Sequence, residues 1–466
     1  MNYNLMRLHC VRIVVLAAAL LFLTLPRLAS AEEFDLLIRG GNLFDSTSLT
    51  FRPNQIIAIR DGKFVSLDAG ADATAQTVIE LTDDDYILPG IVDCHAHYNV
   101  RVIKKRREEF HVVPITYLAN GVTTTFSCGE FDPEGMMKLR KGIESGEKIG
   151  PHLINSGPYF GRARPSWRGQ KDESEIREEV DFWAGQGVGG FKAKAIGPDE
   201  LRVLVDQAHK HHLTVTGHLD SGFRGSVNPR DAIDMGIDRI EHFLGGDGMP
   251  DNLPAYSSLA KITSDSPEYK KIVDHYLKHG TWFDATITAY GYFGRRGEEY
   301  DQWINEREFF TPFIQELVQN RGPDEVVVQF EEIYQAKQTT IKSFFDAGGK
   351  ISLGTDHFSN GNYLPGFGAH REMDALSRAG IPNGEVIRIA TLNGATALGI
   401  DNTHGSISVD KVADAFIVSG NPLDNIRNTR NVKNVICGGR VYDSKQLLDS
   451  VKGKLGPESE TEQGDW

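Results

Sequence analysis

Cysteine is scarce in this sequence, which contains four such residues among 466. Cys10 lies in an N-terminal apolar region, so the rest of the chain holds Cys94, Cys128 and Cys437. An odd number of cysteines does not describe a disulfide framework. A chain of this length can bury a sizeable core without one. The sequence therefore excludes the class of small proteins held together by disulfides.

The chain also lacks an excess of basic residues, because 50 Lys and Arg stand against 64 Asp and Glu, a net charge of −14. This balance argues against nucleic acid or an anionic membrane surface as a partner. The basic cluster at residues 104–107 is predicted to be a solvated helix start, with attraction of an acidic substrate as the alternative. We expect a small-molecule substrate as the partner, and a homo-oligomer stays open.

Long hydrophobic runs are absent beyond the N-terminal region, and a membrane span needs about 20 apolar residues. Residues 1–31 have the pattern of a signal peptide: Arg7 and Arg12 precede the apolar run Val14–Leu25, and Ala29-Ser30-Ala31 forms a cleavage site. We therefore expect a periplasmic or secreted protein without stable membrane insertion after cleavage. An uncleaved signal anchor is the alternative.

Two β-rich stretches at opposite ends of the chain resemble each other. Residues 38–45 and 436–443 both have the pattern of a strand, a glycine turn and a second strand. We expect the two ends, residues 32–88 and 404–446, to meet in one small β-sandwich. The polar tail at residues 453–466 is predicted to be disordered.

The middle of the chain, residues 89–403, alternates β-rich runs with helical runs, such as those at residues 198–212 and 325–347. Candidate strands begin near Ile91, Thr123, His152, Gly190, Thr214, Arg239, Thr281 and Lys350. Eight strand–helix units predict an α/β fold, a (β/α)8 TIM-like barrel. An open doubly wound sheet is the alternative, but it would usually carry a glycine-rich loop after its first strand. The long segment at residues 245–346 predicts extra helices near residues 301–321.

Histidine and aspartate follow several of these strands at the C-terminal end, where barrel active sites lie. His95 and His97 end the first strand, and residues two apart on a strand point the same way. Two neutral imidazoles so placed can bind one ion at about 2.0 to 2.1 Å. His218, His242 and Asp356 end the fifth, sixth and eighth strands. Because barrel closure places strand eight beside strand one, Asp356 is predicted to join the same ion and to accept a proton from its water.

Lys192 and Lys194 end the fourth strand and share a face. An ammonium group facing a divalent cation is repelled, so a lysine in this site requires its charge to be removed or inverted. Reaction with carbon dioxide gives a carbamate whose two oxygens can bridge two ions, and desolvation favours the neutral amine that this reaction needs. Strand parity does not separate the two lysines, and both could instead lie outside the site.

The sequence resembles the amidohydrolase superfamily over nearly all of the chain that follows the signal segment. The matching motifs are Leu-Pro-Gly-Ile-Val-Asp-Cys-His-Ala-His at 88–97, Gly-Val-Thr-Thr-Thr at 121–125, Gly-Phe-Lys at 190–192, Thr-Gly-His at 216–218, Ile-Glu-His at 240–242 and Gly-Thr-Asp at 354–356. Further support comes from His370-Arg371-Glu372 and from residues 390–399.

This resemblance implies a barrel joined to a sandwich built from both ends, with two divalent metal ions, Zn2+ being favoured. It selects Lys192, in carbamylated form, over Lys194. The implied ligands are His95, His97 and Asp356 for one ion and His218 and His242 for the other, with Lys192 between them.

Cys128 is one departure from the superfamily pattern, because a cysteine ends the second strand. D-aminoacylases resemble this layout but use a second-strand cysteine as the bridge and lack the lysine. A thiolate would suit zinc, so Cys128 is the alternative bridging ligand. A small buried hydrophobic residue is the role that we favour.

The resemblance implies hydrolysis of an amide (C–N) bond by a metal-bridging hydroxide, with Asp356 passing the proton to the leaving nitrogen. Superfamily members with these six ligands mostly cleave rather than deaminate, and export favours a dipeptide or an N-acyl amino acid as substrate. The alternatives are an esterase or lactonase using the same site, a mononuclear deaminase with unmodified Lys192, and a non-catalytic protein that binds a metal or ligand.

The residues that bind the substrate are not identified by these motifs. Arg162 and Arg164 follow the third strand and could clamp a carboxylate bidentately. Tyr290 and Tyr292 could line the loop after strand seven, although exposed loop positions are the favoured interpretation.

Overall fold

The computed structural model describes residues 33–101, 106–294, 303–319, 327–359 and 363–462. The predicted signal peptide at residues 1–31 lies outside the described residues, as do positions 104 and 105 of the basic cluster and the last four residues of the tail.

Seven strands occupy the N-terminal region: β1 Glu33–Arg39, β2 Asn42–Asp45, β3 Thr50–Pro53, β4 Ile56–Arg60, β5 Lys63–Ser66, β6 Thr74–Glu80 and β7 Asp85–Pro89. Four of them form a sheet in the order β5-β4-β1-β6. Asp61 and Gly62 connect β4 to β5 with φ angles of 51° and 72°. A tight hairpin turn needs positive φ at both central positions, and Asp-Gly supplies it at little cost.

The following strands build the barrel: β8 Ile91–Val100, β9 Arg107–Glu108, β10 Val122–Ser127, β11 His152–Ile154, β12 Gly190–Lys194, β13 Thr214–His218, β14 Arg239–Glu241, β15 Trp282–Asp284, β16 Ile351–Ser352 and β17 His357–Ser359. Each of the eight predicted strands begins within one residue of its expected position. The eighth strand is observed as two short pieces, β16 and β17, on either side of residues 353–356.

Backbone hydrogen bonds close the barrel between its two sheets, whose orders are β11-β10-β8-β17 and β12-β13-β14-β15-β16. At one seam Cys94 N donates to Leu353 O at 2.9 Å, and Asp356 N donates to His95 O at 3.0 Å. At the other seam Phe160 N donates to Lys192 O at 2.8 Å. All ten residues of β8 are buried, as expected for a parallel strand that is covered on both faces.

The helices are α1 Val113–Ala119, α2 Pro133–Glu144, α3 Glu173–Gly185, α4 Pro198–Lys210, α5 Pro229–Asp234, α6 Ala255–Leu259, α7 Pro267–His279, α8 Ile287–Gly294, α9 Pro312–Gln319, α10 Val328–Asp346, α11 Phe367–Arg378, α12 Asn383–Arg388, α13 Gly394–Ala397 and α14 Ser444–Val451. Several of these helices begin with proline. The N–H group that proline lacks would have no hydrogen-bond partner within the helix at that position. None of the helices in the described residues is long and apolar enough to cross a membrane.

Three C-terminal strands, β18 Ala415–Ser419, β19 Val432–Cys437 and β20 Arg440–Asp443, join the N-terminal ones in a second sheet of order β20-β19-β18-β7-β2-β3. β18 runs antiparallel to β7, pairing Ile417 with Ile87. Both ends of the chain therefore build one β-sandwich, as predicted. Its core is aliphatic and includes Ile38, Ile59 and Ile436, and burying each such side chain contributes about 1.5 to 3 kcal/mol.

The tail from residue 453 is ordered at its start, so the prediction of disorder there is wrong. Leu455 N donates to Phe309 O at 2.8 Å, and Thr311 N donates to Leu455 O at 2.9 Å. The Leu455 side chain is fully buried. Burial of Leu455 and its backbone hydrogen bonds order this part of the tail, although the surrounding residues are polar.

Gly161 provides a test of the seam between β11 and β12. Its φ is +121°, and a Cβ atom there would overlap the Lys194 carbonyl oxygen. We expect Gly161→Ala to lower the free energy of unfolding by about 1 to 3 kcal/mol in chemical denaturation, because backbone must move to admit the methyl group. Gly185→Ala is the control, since nothing lies within 4 Å of that position. Equal losses in the two variants would contradict this account.

Candidate active site

The predicted residues of the first and eighth strands meet at the C-terminal end of the barrel. His97 Nε2 lies 2.8 Å from Asp356 Oδ1, and His95 Nε2 lies 3.4 Å from the same oxygen. The ligand atoms of these three residues are all within 4.8 Å of one another. Two histidines from one strand and the aspartate from its neighbour therefore surround one small volume.

His218 and His242 complete a second side of this volume. Their ring centroids are 4.3 Å apart, and His242 Nε2 lies 3.8 Å from Asp356 Oδ2. His242 Nδ1 shares a hydrogen bond of 2.7 Å with Thr286 Oγ1, which fixes the ring with Nε2 facing the site. The structure thus brings all five non-lysine positions together, while their roles as ligands stay predictions.

Left-handed backbone shapes this end of the barrel. The φ angles of His242, Thr286 and Asp356 are 65°, 48° and 45°, values that non-glycine residues adopt at some cost and that cluster at functional sites. At His242 this conformation breaks the alternation of the strand. As a result the neighbouring residues Glu241 and His242 both reach the site.

Lys192 is buried against this group of side chains and forms an ion pair with Glu241. Burial lowers the pKa of Lys192 to about 8, so the neutral amine is easier to form here than at an exposed lysine. Lys194 instead lines the cavity beside His218, with its Nζ 5.7 Å from the centre of the Tyr159 ring. The structure therefore separates two lysines that strand parity left equivalent.

Cys128 also lies in the site, where its thiol donates to Glu241 Oε1 at 2.9 Å. Burial raises the pKa of Cys128. The ligand atoms of His95, Cys128 and Glu241 all lie within 4.8 Å of one another, and a bound metal deprotonates a coordinating thiol, so Cys128 stays the alternative bridging ligand.

Two acidic residues of the site were missed by the sequence reasoning, Glu241 and Asp284. Asp284 is fully buried, lies 3.7 Å from His95 Nδ1, and accepts no hydrogen bond from the described residues. Burial raises its pKa well above the usual range. Asp284 could have been found from the sequence because it is a polar residue at the end of a strand, the same feature that identified Asp356.

The donor set fits divalent metal ions. Burial lowers the pKa of His95, His218 and His242 well below the usual value, which keeps the imidazoles neutral as metal ligation requires. His242 Nε2 is buried and has no hydrogen-bond partner among the described residues. A buried nitrogen of this kind is costly unless a partner such as an ion satisfies it.

A cavity of about 400 Å3 opens beside His218 and is lined by Arg162, Lys194 and Arg224 together with Tyr256. The other candidate arginine, Arg164, is instead held by Glu179, to which its NH2 donates at 2.8 Å. Arg162 alone of the proposed clamp therefore lines the cavity.

Tyr290 and Tyr292 are buried on helix α8, so their expected exposure is wrong. The Tyr290 ring lies 6.4 Å from that of His242. The two tyrosines form part of the wall behind the site because the segment after β15 is helical and not an open loop.

Comparison with known families gives a match to the model of the amidohydrolase family over residues 86–442. The chain belongs to the amidohydrolase family. The protein is thus a hydrolase acting on carbon–nitrogen bonds, from a family that generally uses metal ions and acts on small molecules. The matched region spans every strand that contributes a side chain to the site.

Among curated relatives of this amidohydrolase, a 5-methylthioadenosine/S-adenosylhomocysteine deaminase of Haloarcula marismortui is 22% identical over 405 residues, which cover 82% of this chain and 84% of the relative. An allantoinase of Bacillus velezensis is 44% identical, but over 43 residues, or 9% of each chain.

Among solved structures, a Xaa-Pro dipeptidase with bound methionine has a TM-score of 0.65 and 22% identity, covering 88% of this chain and 99% of that one. Phenylurea hydrolase B has a TM-score of 0.66 and 16% identity, covering 91% and 100%. At these identities the likeness establishes a shared fold, the barrel with its sandwich.

Lys337 of helix α10 supports the amidohydrolase site, because its Nζ donates to the carbonyl oxygens of His242 and Ala285. We expect Lys337→Met to weaken metal binding by about 10- to 100-fold, because the left-handed turn at His242 loses its support. Lys342→Met on the same helix is the control, since Lys342 pairs with Asp346 at the surface. Metal titration should separate the two variants, and equal affinities would exclude this supporting role.

Proposed function

We propose that this amidohydrolase holds two divalent ions and cleaves the amide bond of a dipeptide or an N-acyl amino acid. The observation that carries the proposal is the placement of Lys192, buried among three histidines, Asp356 and Glu241 at the barrel's C-terminal end. A lysine at this position is compatible with two cations if it is carbamylated. Its pKa, lowered to about 8, favours the neutral amine that reacts with carbon dioxide.

The ligands that we assign are His95, His97 and Asp356 for one ion, His218 and His242 for the other, and Lys192 for both. When bound, the ions would supply a water that ionises near neutral pH and would polarise the substrate carbonyl. Zn2+ suits this set of imidazoles and carboxylates best.

Asp356 is the residue that moves the proton in our proposal. Burial raises its pKa, but His95 and His97 outweigh that effect and hold the pKa well below its usual range. The residue is therefore a carboxylate and can accept a proton from the attacking water. Its side chain is 22% exposed, so it can pass that proton to the leaving nitrogen.

The adjoining cavity supports an anionic substrate. Arg162, Lys194 and Arg224 place three cationic side chains around a volume of about 400 Å3, against one acidic side chain, Asp220, and His218 lies on the same wall. A volume of this order holds a small ligand. The carboxylate of a dipeptide or an N-acyl amino acid would be attracted to these cations while its amide faces the histidines.

A one-metal deaminase is the second candidate, because the relative that aligns with most of this chain is named a deaminase. Carbon-13 bicarbonate distinguishes the two. A two-metal centre should incorporate the label as a carbamate in the wild type and not in Lys192→Ala, whereas the deaminase should incorporate it in neither. Paired amide and ester substrates with identical acyl groups would in turn separate amide hydrolysis from the esterase or lactonase alternative.

We also propose that the enzyme acts outside the cytoplasm, on the basis of the signal-like residues 1–31. N-terminal sequencing of the protein from the extracytoplasmic fraction should begin at residue 32. An intact N-terminus in the cytoplasmic fraction would exclude export.

Asp356→Asn tests the proton transfer. We expect at least a 100-fold loss of kcat on a library of dipeptides and N-acyl amino acids, because general-base catalysis contributes about 10²- to 10⁴-fold. Metal content should be largely retained, since the amide keeps an oxygen ligand. Asp220→Asn is the control from the cavity wall. Undiminished activity in Asp356→Asn would exclude the proposed role.

Arg162→Met tests the recognition of a substrate carboxylate. We expect KM to rise by about 10-fold or more for substrates with a free carboxylate, because a charge-assisted hydrogen bond is lost. The same substrates with a C-terminal amide should show little change. Arg164→Met serves as the matched control, because Arg164 is held by Glu179. A similar rise in KM for both substrate types would contradict carboxylate recognition.

A further inference from the structure

A second cluster of potential metal ligands lies away from the active site, where the barrel meets the sandwich. It consists of His152 at the start of β11, His404 after helix α13, and Asp414 just before β18. Their ligand atoms all lie within 4.8 Å of one another. We propose that these three residues bind one divalent transition-metal ion, with Zn2+ the best fit.

The spacing of the atoms leaves one of the two histidine–aspartate pairs without a hydrogen bond. His404 Nε2 lies 3.9 Å from Asp414 Oδ2, which is too long for a hydrogen bond. Two ligand atoms at about 2.0 to 2.2 Å from one tetrahedral zinc lie about 3.4 Å apart. His152 Nε2 shares a hydrogen bond of 3.1 Å with the other carboxylate oxygen, Oδ1, which an ion would replace. Small side-chain shifts would therefore place all three ligands around one ion.

The Asp414 carboxylate is the second, independent observation. Its side chain is only 4% exposed, and Oδ1 accepts a hydrogen bond of 2.8 Å from Gly438 N. Oδ2 is buried, faces His404, and accepts no hydrogen bond from the described residues. A buried carboxylate oxygen in this state is costly unless a cation coordinates it.

His404 is oriented as a metal ligand would be. Its Nδ1 shares a hydrogen bond of 2.8 Å with Thr403 Oγ1, so Nε2 is the nitrogen that faces Asp414. Metal-binding histidines almost always use their second nitrogen in this way. A cavity of about 490 Å3 is lined by His152 and His404 and by the basic residues Arg140, Lys148 and Arg440, and it leaves room for a water ligand.

Such an ion would join two parts of the fold. His152 belongs to a barrel strand, whereas Asp414 leads into a strand of the sandwich. An ion that binds the folded chain and not the unfolded one stabilises the folded chain by mass action. We infer a structural role, in which zinc holds the sandwich against the base of the barrel.

Zinc content after equilibrium dialysis tests the proposal, with the catalytic centre left intact. The wild type should retain one more ion per chain than either His404→Ala or Asp414→Asn. His209→Ala is the matched control, because His209 pairs with Asp238 at 3.0 Å and does not belong to a three-ligand group. His275→Ala controls for zinc at the surface group of Asp234, His275 and His279. Equal zinc content in the wild type and both site variants would overturn the proposal.

Thermal melting and crystallography add readouts that do not depend on enzymatic activity. Zinc should raise the melting temperature more in the wild type than in His404→Ala, and an equal rise would count against the structural role. Crystals of the wild-type protein soaked in zinc should show an anomalous peak between His152 and His404. Absence of that peak would overturn the proposal even if the variants failed to fold.

Discussion

The hydrogen bonds between the first and eighth strands are the constraint on which the rest of the site depends. Cys94 N to Leu353 O and Asp356 N to His95 O close the barrel on itself. The second bond also sets the distance between a histidine and the carboxylate beside it. Because the same backbone contact closes the fold and assembles the site, catalytic geometry here is a product of barrel closure.

Burial of charge at this closed end needs compensation, and the structure supplies it with an ion pair and a hydrogen bond. Lys192 pairs with Glu241, and Asp356 Oδ1 shares a hydrogen bond of 2.8 Å with His97 Nε2. Asp284 accepts no hydrogen bond from the described residues, although the positive charges of Arg239 and Lys192 favour its ionised form. A cation near His95 would offset its charge, so the surplus of carboxylates is itself an argument for metal ions.

Much of the fold and most of the site could be predicted from the sequence because they follow from short-range regularities. Strand periodicity placed His95 and His97 together, and polar residues at strand ends identified Asp356. Glu241 was missed because neighbouring side chains on a strand normally point to opposite faces, so Glu241 was expected to point away from His242. The left-handed backbone at His242 breaks this alternation. The burial of Tyr290 and Leu455 depends on residues distant in sequence, which local patterns do not reveal.

The construction of the sandwich from both ends has a consequence for how the chain folds. β7 ends at Pro89, one residue before the strand that bears His95, yet its neighbour β18 is synthesised only after the whole barrel. Contacts of such long sequence separation form slowly. The sheet that anchors the first barrel strand therefore stays incomplete until β18 has been synthesised, so the barrel's strands leave the ribosome before the sandwich can form.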